Sequence, residues 1–200
     1  MRNERYLANQ IPADLAWYER DRKRSNDFDQ ALGIVRVELD GGGDAVLLQA
    51  SQLLGSLVRG SDYVVRWGDG FLLVLRPLPD RRLESIGERI REAFAQQRFE
   101  VPGSEPQYFG CSVGMVEYPL RGARQQGVGW EQMVELADAG LRWIQRHGGD
   151  GWAVLRPVSY AELPRMLRGP SSEDFEGLLR SGRLQLHASR DTTPHEDVPA

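Results

Sequence analysis

The chain has 200 residues, 25 Lys+Arg against 29 Asp+Glu and a formal net charge of −4; 40% hydrophobic and 27% charged residues is a soluble globular mix, and a domain of this length removes roughly 70% of its surface from water. The mildly acidic balance speaks against a nucleic-acid polymer or a membrane surface as partner. One cysteine, Cys111, excludes an internal disulfide; three scattered histidines give no zinc spacing; and the start, MRNERYLANQIPAD, has no apolar run long enough for a signal peptide or a spanning helix, so a cytoplasmic protein without membrane insertion is expected.

Residues 1–31 read as a lead-in whose stretch from Ile11 to Ala31 is polar and helical. It contains Lys23, the sole lysine, in RDRKRSND with no glycine near it, which excludes a P-loop. Gly33–Leu39 (GIVRVEL) alternates β-branched and polar residues and predicts a strand. Gly41-Gly42-Gly43 ends it, and Asp44 is the expected N-cap of a helix running to about Arg59. Val46, Leu47, Ala50, Leu53, Leu54 and Leu57 form its apolar stripe.

Tyr63–Trp67, Gly68-Asp69-Gly70 and Phe71–Leu75 then predict a β-hairpin about a Gly/Asp turn. A helix is expected from about Arg81 to Gln97, buried through Leu83, Ile86, Ile90 and Phe94, and a central strand over residues 107–118. Trp130 to about His147 carries Met133, Leu136, Ala137, Leu141 and Ile144 at helical spacing and stops at Gly148-Gly149. Trp152–Leu155 reads as a short strand, Ser172–Ser181 as a helix and Arg183–His187 as a strand. The last ~10 residues, ending in DVPA, have a disordered composition. The alternation predicts an α/β (α+β sandwich) fold: a ferredoxin-like βαββαβ core with a central sheet flanked by helices.

The hairpin carries a resemblance. Arg66-Trp67-Gly68-Asp69-Gly70-Phe71-Leu72 is similar to the signature of GGDEF domains, the diguanylate cyclases that condense two GTP into cyclic di-GMP. Leu57-Val58-Arg59-Gly60-Ser61-Asp62 resembles the segment before that signature, Cys111-Ser112-Val113-Gly114 its "SIG" strand, and Ala137-Asp138-Ala139-Gly140-Leu141 the start of its last helix motif. The likeness covers residues 32–157 in order. The stretch WEQMVELADAG and the tail DFEGLLRSGRLQLHAS resemble one subset of these cyclases, which carry a C-terminal extension, and residues 158–200 read as such an extension.

In the family the acidic third position of the signature binds Mg²⁺, and the glutamate after it serves the 3′-hydroxyl. In this chain the turn is one residue short: Asp69 stands for the metal ligand and Gly70 for the glutamate, and a glycine side chain can neither take a proton nor bind a metal. Glu38, followed by Asp40, occupies the place of the first-strand carboxylate; with Asp69 it would hold a metal weakly at most, and no metal is assigned. The family's next segment, with a phosphate-binding lysine and a guanine-reading asparagine, is missing, and only Asp44 could match a guanine contact. Gln145 and Gly149 stand where phosphate-binding Lys and Arg are found. A Mg-GTP triphosphate needs cationic stabilisation in its transition state, so the resemblance implies a degenerate, catalytically inactive homologue with no catalytic residue and no required cofactor.

The family's product-binding inhibitory site is an Arg-x-x-Asp five residues before the signature. Arg59-Gly60-Ser61-Asp62 has that spacing, and Arg89 in Glu88-Arg89-Ile90-Arg91 occupies the place of the accessory arginine. Arginine forks onto guanine O6/N7 or a phosphate, and a carboxylate accepts from guanine N1–H and N2–H₂. The resemblance therefore implies cyclic di-GMP as ligand and a signalling role passed to an unidentified protein partner; a scaffold that binds no nucleotide is the alternative, and a residual cyclase the third. The residues alone also admit a helix-end cation at Arg59 and an Arg89–Glu92 surface pair. Gly110-Cys111-Ser112-Val113-Gly114 matches a GxSxG elbow, but Met115–Tyr118 continues as strand where that motif turns into a helix. Trp67 is expected to be core rather than a stacking platform.

Overall fold

The computed structural model describes residues 9–13, 31–76, 83–119, 129–159 and 172–189. Its first strand, β1 (Ala31–Leu39), is buried at seven consecutive positions before opening at Glu38 and Leu39. Such a run belongs to a strand covered on both faces, and β1 lies inside a six-stranded sheet of order β2-β3-β1-β4-β5-β6. The other strands are β2 (Tyr63–Trp67), β3 (Gly70–Leu75), β4 (Cys111–Pro119), β5 (Gly151–Pro157) and β6 (Leu184–Ala188). The helices packed on the sheet are α1 (Leu47–Leu57), α2 (Leu83–Gln96), α3 (Trp130–Arg146) and α4 (Ser172–Arg180), and residues 9–13 are also helical.

β1 pairs antiparallel with β3 on one side and β4 on the other, while β2 pairs antiparallel with β3. This is the split βαβ arrangement of a ferredoxin-like core, as expected from the sequence. α3 returns the chain so that β5 lies parallel to β4, and β6 adds antiparallel to β5. The period-2 alternation of the strands sorts the core into two layers. Val35, Val37, Leu73 and Met115 pack with Ala50 and Leu54 of α1 and Leu83, Ile90 and Phe94 of α2. Leu32, Ile34, Leu72 and Val116 pack with Met133, Leu136 and Ile144 of α3 and with Phe175 and Leu178 of α4.

Several local expectations are corrected. β1 starts at Ala31, two residues before Gly33. Asp44 is not an N-cap: it lies in a 3₁₀ turn (Gly43–Val46) preceding α1, no side-chain bond caps that turn, and its side chain is 97% exposed. α1 ends at Leu57, since Val58 is already extended. β4 begins at Cys111 rather than Gln107, because Gln107 exchanges both backbone bonds with Phe99 instead (2.8 and 2.9 Å). Trp152–Leu155 extends to a seven-residue strand. Most of the lead-in, residues 14–30, and the tail from residue 190 lie outside the described residues.

Candidate functional site

The signature hairpin is tighter than its sequence implied. Trp67 pairs with Gly70, leaving a two-residue turn of Gly68 and Asp69, and Gly68 takes the positive φ (55°) that a tight hairpin turn needs at its first position. Asp69 sits exposed at the tip. Gly70 is hemmed in: a Cβ there would stand 2.2 Å from the Val37 carbonyl oxygen and 2.4 Å from Glu38 Cγ. The site has no room for the side chain that the resemblance places at this position.

Behind the hairpin lies Arg36, a residue the sequence reading passed over. Its side chain is 4% exposed. Nε donates to Asp138 Oδ1 on α3, Nη2 donates to Glu38 Oε1 (3.0 Å), and Nη1 donates to the carbonyls of Phe71 (2.7 Å) and Trp67 (3.3 Å). Gln145 on α3 donates to the other Glu38 oxygen at 2.9 Å. Glu38 and Gln145 are thus brought together, with Arg36 and Asp138 as the missed members. The signal was present: a cation in the middle of the run GIVRVEL, with apolar residues on either side of it, must carry its partners into the core.

Asp40 is committed differently. One oxygen accepts from Ser112 Oγ (2.7 Å) and the other from the Asp150 backbone N–H (2.7 Å). Gly149, at φ 68°, leaves only 2.9 Å between its Cβ position and Asp40 Oδ2, so this turn holds Asp40 as a backbone latch between β1 and the end of α3. Burial first, then the Asp40 and Asp150 carboxylates, push the neighbouring Cys111 thiol well above its usual range. Asp44 faces Arg66 at 3.6 Å, and Trp67 is part-buried edge-on to Trp130. Ser112 lies inside β4, which continues to Pro119 without the turn an elbow needs.

Around the C-terminal end of α1 the remaining predicted residues converge. The exposed Arg59 donates its backbone N–H to Asp62 Oδ2 (2.9 Å), and the Arg76 N–H at the end of β3 donates to Asp62 Oδ1 (2.9 Å). Arg89 on α2 reaches across to the last α1 carbonyl, Leu57 O, at 2.9 Å. That contact, rather than Glu92, engages the Arg89 guanidinium, and it suits the negative end of a helix dipole.

The sheet is thus a ferredoxin-like core extended by β5 and β6, with the shortened glycine turn at one end of the β2–β3 hairpin and the Asp62 turn at the other. The family model described as "Diguanylate cyclase, GGDEF domain" matches residues 40–150, more than half of the chain, and the chain belongs to the GGDEF family. Diguanylate cyclase DosC of Escherichia coli K12 is 28% identical over 107 residues, 53% of this chain and 22% of its own length. The chain therefore spans about a fifth of that curated relative. Among solved structures, diguanylate cyclase SiaD from Pseudomonas aeruginosa, in complex with its activator SiaC, has a TM-score of 0.55 at 24% identity, over 72% of this chain and 57% of that one. The coiled coil and GGDEF domain of DgcB from Caulobacter crescentus, in complex with c-di-GMP, gives 0.63 at 15% identity, over 77% and 81%. Likeness at these identities carries the fold alone.

The divalent metal that the family implies does not fit this donor set. Glu38 is held by Arg36 and Gln145, Asp40 by Ser112 and the Asp150 amide, and Gly70 contributes no side chain. Among the described residues no three His, Cys, Asp or Glu groups are placed to hold a metal ion. No helix among those residues is long and apolar enough to cross a membrane.

Proposed function

We propose that this GGDEF domain does not make cyclic di-GMP but receives it, through Arg59, Asp62 and Arg89. The observation that carries the reading is the convergence of the three on the end of α1, with Arg89 anchored at Leu57 O two residues from Arg59. Both Asp62 oxygens accept backbone amides, which fixes the carboxylate in place while leaving each oxygen a further lone pair for guanine N–H donors. Two exposed guanidinium groups beside it suit a dianionic guanine dinucleotide. Catalytic silence is supported by the closed Gly70 position, the Arg36-bound Glu38 and the glutamine and glycine at Gln145 and Gly149. Losing both phosphate cations and the signature glutamate removes several contributions, each on the order of 10²-fold.

Occupancy of the site would be passed to a protein partner. A scaffold that binds no nucleotide is the second reading, favoured by one observation: the Asp62 bonds satisfy the turn without any ligand. Calorimetric titration of cyclic di-GMP into the full chain decides between them. Saturable binding abolished by Arg59→Ala and weakened at least tenfold by Arg89→Ala is expected; no heat overturns the receptor. Cyclic di-GMP formed from GTP above a no-enzyme control overturns the silence.

A further inference from the structure

We infer that Arg36 is the resident cation of the hairpin site, holding the Glu38 carboxylate that the resemblance assigns to a divalent ion. The inference rests on the proposed catalytic silence and adds what replaces the metal. The guanidinium is surrounded by an all-oxygen shell: the Glu38 and Asp138 carboxylates and the Trp67 and Phe71 carbonyls. Two carboxylates and two carbonyls drawn from β1, α3 and the hairpin are the donor types a hard divalent cation collects. Here a covalently attached cation holds them. Gln145 closes the outer side of Glu38 through a neutral amide that needs no counter-charge.

Three features make this a cation site rather than a core residue with incidental bonds. Arg36 is 4% exposed, so its charge cannot be met by water. Its Nε, Nη1 and Nη2 donate to three separate elements, joining α3 to the hairpin across the sheet end. The hairpin carbonyls it binds flank Gly70, so the guanidinium fixes the backbone that closes over the signature position. A ligand at the Arg59 site would accordingly bind without any divalent ion.

The test uses the full chain and Mn²⁺ as probe, followed by electron paramagnetic resonance, with thermal unfolding alongside. The wild-type chain is expected to show no saturable Mn²⁺ site up to about 1 mM and no shift in Tm, because the acceptors are taken. Arg36→Met removes the cation at similar length; its Tm should fall by about 10 °C, and Mn²⁺ or Mg²⁺ should recover several degrees as the vacated oxygens take up the ion. Saturable Mn²⁺ binding by the wild type that Glu38→Gln abolishes overturns the inference, as does an Arg36→Met Tm equal to wild type or indifferent to metal. Should Arg36→Met fail to fold, the triple variant with Glu38→Gln and Asp138→Asn, which removes the charges together, is expected to fold; its failure also overturns the inference. GTP turnover by the wild type sinks the silent-site reading, whereas Mn²⁺ binding without turnover sinks only the resident cation.

Discussion

Gly70 is the position at which restoring the family's residue should do most harm. A Cβ added there would lie 2.2 Å from Val37 O, and ordinary contact begins near 3.4 Å, so the strands must separate by more than an ångström locally. Val37 is paired with Phe71, next to Gly70, so the shift loosens the β1–β3 ladder at its hairpin end. Overpacking costs roughly 1–3 kcal/mol and a weakened ladder bond roughly 0.5–1.5. The reduced freedom of the unfolded chain gives back about 0.4–1 kcal/mol. Gly70→Ala is therefore expected to lose about 2–3 kcal/mol, or roughly 5–10 °C in Tm for a chain of this size. Gly70→Glu should lose more, since its carboxylate would meet Glu38, and it should yield no cyclic di-GMP. Urea and thermal unfolding followed by circular dichroism measure the cost. An alanine variant within about 0.5 kcal/mol of wild type would refute the close approach of β1 to the hairpin.

Other expectations separate structural from ligand-facing roles. Asp62→Ala deprives two backbone amides of their acceptor and should cost about 2 kcal/mol by urea unfolding, whereas exposed Arg59→Ala should stay within about 0.5, which makes the arginine the cleaner binding probe. The hydrogen bond from Arg91, against some desolvation and with help from the Trp152 N–H, holds the Glu88 carboxyl below its ordinary 4.5. Its stabilisation is therefore complete above that value and lost as pH falls through the lower, folded one; the Tm gap between wild type and Glu88→Gln should close on acidification, and a gap constant to pH 2 would contradict this. Cys111, buried with its thiol pushed upward, should label with a thiol reagent only after denaturation, so stoichiometric labelling of the native chain within minutes would contradict its placement.

The elements legible in the sequence are those whose periodicity is set by burial on one face. The hairpin around Gly68 was marked instead by its turn residues, since β3 is buried throughout, whereas the α3 stripe from Met133 to Ile144 is of the one-face kind. So are the helix at residues 172–181 and the strand of RLQLH, which the structure places against the core and at the edge of the sheet. Boundaries failed where tertiary pairing overrode local pattern. Gln107 reads as strand but spends its bonds on Phe99, and Asp44 has the chemistry of a cap but falls a turn too early. At the site, Glu38 and Gln145 were found as positions and missed as partners, because their link is an Arg–Glu–Gln relay between elements 107 residues apart. Nor could spacing reveal that Asp40 serves the Asp150 amide, or that the space beside Gly70 is already filled.

The placement of β1 between β3 and β4 bears on how the chain is made. Among the strands of the described sheet it is the first to be synthesised, yet its register runs from Ala31 opposite Pro119 to Leu39 opposite Cys111. From the end of β1 to the end of β4 is 119 − 39 = 80 residues, which a ribosome adds in roughly 4–16 s. Through that interval the nascent strand presents one open edge of Ala, Leu, Gly, Ile and Val to other chains. The two charges that interrupt it, Arg36 and Glu38, serve during that wait as gatekeepers against strand addition.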